Sequence, residues 1–251
     1  MKQVLGLTYV LYDTTDFLPP LSSTDEHRIA DLTGTALMHR ALVLCEHALA
    51  FSTLVPVFLV VALVSLLLAR RELQTLFLLI GVLFNEGVNH LLKHWIREPR
   101  PAGSYKHGFG MPSDHAQFMT FLAVYTTFYV LCHVNFRRHS LLYKLSYALL
   151  IHTLMAFTSY ARLWLKVHTA QQVVVGSVIG WLFGVSYFVL VQSILRPLCF
   201  DRLQCSALGE YFALKDNTAL CDVLQLEREL SMRLQAERVD AKQQRTKDKQ
   251  P

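Results

Sequence analysis

Three short stretches of this 251-residue chain carry residue types suited to holding an anion. KHWIREPRP, at 93–101, contains Lys93 and Arg100; PSDH, at 112–115, contains Ser113 and His115; ARLWLKVHTAQQ, at 161–172, contains Arg162, His168 and Gln172. Arginine presents a planar fork of donors that matches phosphate oxygens in pairs, and lysine adds a compact positive charge. A serine hydroxyl and nearby backbone N–H groups at a helix entrance complete such a cradle. Taken singly, each residue has a plainer reading. A histidine at a helix end commonly just satisfies a hydrogen bond, and a basic residue beside an apolar run commonly marks a membrane flank. Brought to one face, two histidines, a serine, two arginines and a lysine make a phosphoryl-transfer site. A phosphorus centre crowded with negative oxygens needs that neutralisation before a nucleophile can approach.

The elements that must position these groups are apolar. The chain is 53% hydrophobic and 17% charged, whereas ordinary soluble domains carry about 25% charged residues. Crossing the hydrocarbon layer takes about 20 apolar residues in a helix. Stretches 51–69, 73–92, 118–134, 141–160 and 173–195 meet that requirement, which predicts five spans, with 37–50 as a further amphipathic or partly embedded helix. The expected organisation is an N-terminal segment over 1–45, a membrane-embedded domain over 46–197 and a charged tail over 198–251. The opening residues have too short an apolar core for a secretory signal, so the first span is expected to direct insertion. Gly176, Gly180 and Gly184 recur every four residues in the last span, the spacing that lets helices approach closely in lipid.

The five cysteines are scattered, with neither a disulfide framework nor a metal-ligand spacing. The net charge of +5 gathers at span flanks and in the three stretches above, so nucleic acid is not an expected partner. Alternating the spans places Arg70-Arg71, the cluster from Arg137 to Lys144 and the tail on one side. Residues 93–117 and 161–172 then share the other. The positive-inside rule puts the first set in the cytoplasm. The basic residues of 93–107 oppose that bias and therefore need another purpose, which a phosphate grip supplies. Pro99 and Pro101 end the second span there and turn the chain toward PSDH. Glu86, an ionisable group inside a span, calls for a partner. It lies seven residues before Lys93, on the same helical face, and either pairs with a basic group under the site or supplies acidity behind it.

In order and spacing, the three stretches resemble the three motifs of the type 2 phosphatidic-acid phosphatase superfamily, which also includes vanadium haloperoxidases. That resemblance implies an all-α, polytopic transmembrane helical bundle. Within the superfamily the chain is most similar, from about residue 50 onward, to the branch that acts on dolichyl diphosphate. NEGVN, REPRP, GMPSDHAQFM and YARLWLKVHTAQQV carry the likeness. The resemblance implies that His168 attacks phosphorus to form a phosphohistidine and that His115 protonates the departing oxygen, then activates water. Lys93, Arg100, Ser113 and Arg162 hold the non-bridging oxygens, and no metal or cofactor is expected. The implied reaction releases dolichyl phosphate and inorganic phosphate, recycling the lipid carrier of protein N-glycosylation. The implied place is the endoplasmic-reticulum membrane, with the site facing the lumen and the tail cytoplasmic. The partners are then a polyprenyl diphosphate lipid and the surrounding membrane lipids. The alternatives are a broader lipid phosphate phosphatase acting on phosphatidic acid or sphingoid phosphates, and an inert scaffold or transport member.

Two positions depart from the superfamily pattern. Ala161 stands where serine usually precedes the arginine, and Gln172 where aspartate usually orients the attacking histidine. Gln172 lies four residues after His168, on the same helical face, and its carbonyl can accept an Nδ1–H bond. Asp114 places a carboxylate beside His115, which suits a phosphate site only if it turns away or pairs with a basic neighbour.

Overall fold

The computed structural model describes residues 43–134, 140–217 and 223–247. The expected N-terminal segment up to residue 42, the basic cluster Arg137-Arg138-His139 and Cys221 lie outside these. Helix α1 runs Val43–Arg70 with a 3₁₀ turn at Ser52–Leu54. It is followed by α2 (Leu73–Ile96), α3 (Asp114–His133) and α4 (Ser140–Trp164). Helix α5 begins as Ala170–Leu190 and continues unbroken to Gln204. Two elements beyond it, α6 (Ala207–Phe212) and α7 (Val223–Lys247), complete the described chain.

Helices α1, α2, α4 and α5 are long and apolar enough to cross a membrane. Their outer faces bear Val57, Phe58, Leu149, Leu150, Trp181 and Leu182, all exposed. Such faces are a poor match for water and a good one for lipid, where helices satisfy their own backbone groups. The protein is an all-α, multi-pass membrane bundle. The stretch expected as the third span forms α3, which the other helices surround. Ten successive residues, from Ala116 to Tyr125, are buried. A helix covered on every side needs no single apolar face, so polar Gln117 and Thr120 fit within it.

The glycine spacing of α5 is what brings it against α3. A Cβ added to Gly176 would stand 2.6 Å from the Ser113 carbonyl oxygen, and one on Gly184 3.0 Å from Val124 Cβ. Close backbone approach lets the Ser113 N–H donate to the Gln172 carbonyl at 3.1 Å.

Two expected boundaries differ. Residues 43–50 are not a separate element but the first turns of α1. The last span does not stop at Arg196-Pro197: it opens into π turns over Val191–Phe200 that contain Pro197. The wider turn gives the proline ring room that an α turn denies it. At the far end of α2, Arg71 takes a left-handed conformation (φ 55°) and ends α1. There Leu73 N–H donates to the Lys215 carbonyl at 3.0 Å, and Arg70 pairs with Glu227 of α7 at 2.9 Å. The 70–72 turn and the tail therefore share one membrane face. The 97–113 and 165–169 loops lie a full helix length away, at the other.

Candidate active site

The site is assembled by the two loops and two helix starts at that second face. Arg97, left-handed at φ 55°, closes α2, and its Nε donates to the His94 carbonyl at 2.9 Å. Arg97 and His94 thus finish the helix and stay out of the site. The loop then folds back on itself. Gly110 N–H donates to the Glu98 carbonyl at 2.7 Å, Ser104 N–H to that of Pro101 at 3.1 Å, and Pro99 bridges Phe109. This hairpin-like return aims Arg100 inward, where Nη1 lies 3.0 Å from the Val167 carbonyl and 3.0 Å from His168 Nε2.

On the opposite wall, α4 delivers Arg162 and then unwinds. Both Val167 and His168 N–H groups donate to the Arg162 carbonyl, at 3.2 and 3.3 Å. Thr169 caps α5 reciprocally with Gln172: its hydroxyl accepts the Gln172 N–H at 3.2 Å and its N–H donates to Gln172 Oε1 at 3.3 Å. That Thr-x-x-Gln pattern is a capping box, readable in sequence as a helix start. The same Gln172 Oε1 lies 3.1 Å from His168 Nδ1. An amide oxygen only accepts, so the proton sits on Nδ1 and Nε2 keeps its lone pair. Burial lowers the His168 pKa below the ordinary histidine value, with Asp114 acting against it. At neutral pH the imidazole is therefore the unprotonated form that nucleophilic attack needs.

Arg162 and Ser113 are fully buried. None of the three Arg162 guanidinium nitrogens has a hydrogen-bond partner, nor do Ser113 Oγ and Arg100 Nε. Buried polar groups are nearly always satisfied, and an unpaired buried charge is costly. Five converging donors left open describe the negative of an anion. Asp114 stands at the edge of this space. Its Oδ1 lies 3.7 Å from Lys93 Nζ, 3.3 Å from His115 Nδ1 and 3.4 Å from His168 Nε2. The carboxylate thus turns toward Lys93 and His115 instead of away, and sits beside the bare Nε2 of His168. The other ring nitrogen of His115 lies 3.1 Å from the Thr53 carbonyl, which ties the site to α1. Lys93, Arg100, Ser113, His115, Arg162, His168 and Gln172 are brought together.

Glu86 is placed differently. It forms no ion pair among the described residues and lines a cavity of about 670 Å³ between α1 and α2. Val57, Val60, Val61 and Leu83 wall that cavity, and it ends on Tyr105, Lys106, Asp114 and His115. Burial lowers the Lys106 pKa and raises that of Tyr105. Reading the sequence missed Glu98, whose carboxylate accepts from Gln172 Nε2 at 2.8 Å. It also left Asn85, Asn89 and Gln117 without a role. Among the described residues, no group of three or more His, Cys, Asp or Glu side chains is arranged to hold a metal ion.

The model of the PAP2 superfamily matches residues 74–196. Dolichyldiphosphatase 1 of Mus musculus is 38% identical over 192 residues, covering 73% of this chain and 80% of that protein. Lipid phosphate phosphatase gamma of Arabidopsis thaliana is 34% identical over 188 residues, covering 72% and 81%. Among solved structures, a transmembrane PAP2-type phosphatidylglycerolphosphate phosphatase from Bacillus subtilis aligns with a TM-score of 0.48 at 20% identity. It covers 76% of this chain and 96% of that one.

Proposed function

Because the chain belongs to the PAP2 superfamily, we propose that its membrane phosphatase site hydrolyses the terminal phosphoanhydride of dolichyl diphosphate, releasing dolichyl phosphate and inorganic phosphate. The observation that carries this reading is the buried, unpartnered Arg162 beside His168, whose Nδ1 faces the Gln172 amide oxygen. The terminal phosphoryl group fills the space between Arg162, Arg100, Ser113 and Lys93. Arg100 exchanges His168 Nε2 for a phosphate oxygen, which frees the lone pair. Nε2 then bonds to phosphorus in line with the departing bridging oxygen. The P–O bond breaks with its electron pair on that oxygen, and His115 supplies the proton. Water activated by the now neutral His115 next breaks the P–N bond, and inorganic phosphate leaves. The basic side chains do the charge stabilisation that a metal ion does in other phosphatases.

Two features favour a lipid diphosphate. The apolar cavity ends on the site, so a tail that stays in the bilayer can enter between α1 and α2 while its head reaches His115. Lys106 lines the same end, beside the position of the leaving oxygen, where a second phosphate would carry its charge. The name of the mouse relative points the same way. By the positive-inside argument the site faces the endoplasmic-reticulum lumen, where the reaction recycles the carrier for protein N-glycosylation. A broader activity on lipid phosphates is the second reading, favoured by the Arabidopsis relative's name. Phosphate release from dolichyl diphosphate, phosphatidic acid and a sphingoid phosphate, each with chelator present, separates them. The diphosphate is expected to give the highest kcat/KM; a preference for the monoesters would overturn the first reading in favour of the second.

A further inference from the structure

A neutral glutamine is a weak support for an attacking histidine. As His168 Nε2 bonds to phosphorus the ring acquires positive charge, and a carboxylate behind Nδ1 opposes that charge far better than an amide dipole. We propose that Glu98 supplies this carboxylate through Gln172, as a positioning residue that fixes the tautomer of His168 and raises its basicity.

The geometry of the Gln172 amide carries the inference. Its Oε1 lies 3.1 Å from His168 Nδ1 and accepts the Thr169 N–H at 3.3 Å. Its Nε2 donates to Glu98 Oε1 at 2.8 Å and to the Pro99 carbonyl at 2.9 Å. The reversed amide would set its oxygen against two acceptors and its NH₂ against the Thr169 donor, so only one orientation satisfies the site. Gln172 is fully buried, and a Cβ on Gly110 would come within 2.6 Å of its amide atoms. Gly110 in turn holds the Glu98 carbonyl at 2.7 Å. The amide has no room to turn away, and Glu98 is anchored by its own backbone. Carboxylate, amide and imidazole form one polarised chain of hydrogen bonds. Glu86, which sequence spacing singled out for acidity behind the site, faces the cavity instead. Among the described residues, Arg100 from the 97–113 loop and Asp114 from α3 lie within 3.5 Å of the His168 ring. Neither is altered in the variants below.

The inference rests on the reading of His168 as nucleophile, so the test compares wild type, His168→Ala, Glu98→Gln, Gln172→Glu and the double variant Glu98→Gln/Gln172→Glu. Purified in detergent, each is assayed for phosphate release from dolichyl diphosphate across pH, with a thermal melt of each. Glu98→Gln keeps the acceptor and the shape but removes the charge. It is expected to lower kcat about 10- to 100-fold, the usual range for losing such an outer partner, with KM little changed. The acid limb of kcat/KM is expected to move to lower pH, because a less supported imidazole is less basic. The double variant moves the carboxylate against His168 and is expected to recover to within about tenfold of wild type. Gln172→Glu alone sets two carboxylates together and is expected to recover less. A Glu98→Gln enzyme with an unmoved acid limb and unchanged kcat overturns the relay, as does a double variant no better than Glu98→Gln. If wild type does not exceed His168→Ala, the proposed function fails. The relay is then judged from the His168 pKa by NMR, which Glu98→Gln must lower.

Discussion

Two polar clusters are buried around the start of α3, and they are wired in opposite ways. In the first, Asn89 Nδ2 donates to Gln117 Oε1 at 2.8 Å, and Gln117 Nε2 donates to Asn85 Oδ1 at 3.0 Å and to the Asn85 carbonyl at 3.1 Å. These amides answer one another, with only Asn85 Nδ2 left over. In the second, the three Arg162 nitrogens, Ser113 Oγ and Arg100 Nε answer nothing within the protein. A closed cluster holds helices in register; an open one made mostly of donors, with Asp114 Oδ1 an open acceptor at its edge, suits an anion. The free donors, more than the motif itself, mark where the proposed phosphate would sit. The difference also predicts that the two clusters respond to substitution with opposite signs.

The largest effect is expected in the open cluster. Arg162→Met should cost about 10³-fold in kcat/KM, the loss typical of removing a donor aimed at transition-state charge. It should leave the melting temperature unchanged or raise it, because an apolar replacement of an uncompensated buried charge is neutral or stabilising. Gln117→Leu should do the reverse. It leaves Asn89 Nδ2 only the long bond to the Pro112 carbonyl and strands Asn85 Oδ1 at a cost of about 1–3 kcal/mol, seen as a lower melting temperature with kcat/KM of the folded enzyme nearly intact. If both variants moved activity and stability in the same direction, the division between the clusters would collapse.

Smaller effects refine the open cluster. Lys106→Met should lower kcat/KM on dolichyl diphosphate by about tenfold, roughly one charge-assisted contact, and leave phosphatidic acid unaffected; equal losses on both would remove Lys106 from the second-phosphate position. Asp114 is the misfit there, a carboxylate competing with substrate for Lys93, His115 and His168. Asp114→Asn should tighten inhibition by inorganic phosphate by about fivefold, or roughly 1 kcal/mol. Its removal also lowers the His168 pKa, since Asp114 raises it. The acid limb of the pH profile should therefore shift to lower pH. Weaker phosphate inhibition, or a shift to higher pH, would contradict that role.

Much of this arrangement is legible along the chain. Apolar runs mark the membrane helices, and the four-residue glycine spacing marks where α5 meets α3. The three short stretches name the residues that converge. What the sequence withholds is whatever depends on contacts across the bundle. Glu98 and Gln172 are 74 residues apart and meet only because the loop after α2 returns to Glu98 through Gly110. Glu86 has the helical phase to sit beneath Lys93, yet its side chain faces the cavity, because phase gives a side and not a neighbour. Pro197 reads as a stop because proline breaks α turns, and the π turns that accommodate it have no sequence signal of comparable strength. Asn85, Asn89 and Gln117 read as three unrelated polar residues until α2 and α3 are laid together.

The central claim is that His168 attacks phosphorus within a grip completed by Arg162. It is tested most directly by comparing purified wild-type protein with His168→Ala for phosphate release from dolichyl diphosphate in the presence of chelator. Sustained release by wild type and none above background by His168→Ala is expected, with both proteins melting alike. Equal release by the two, or none by either, would contradict it.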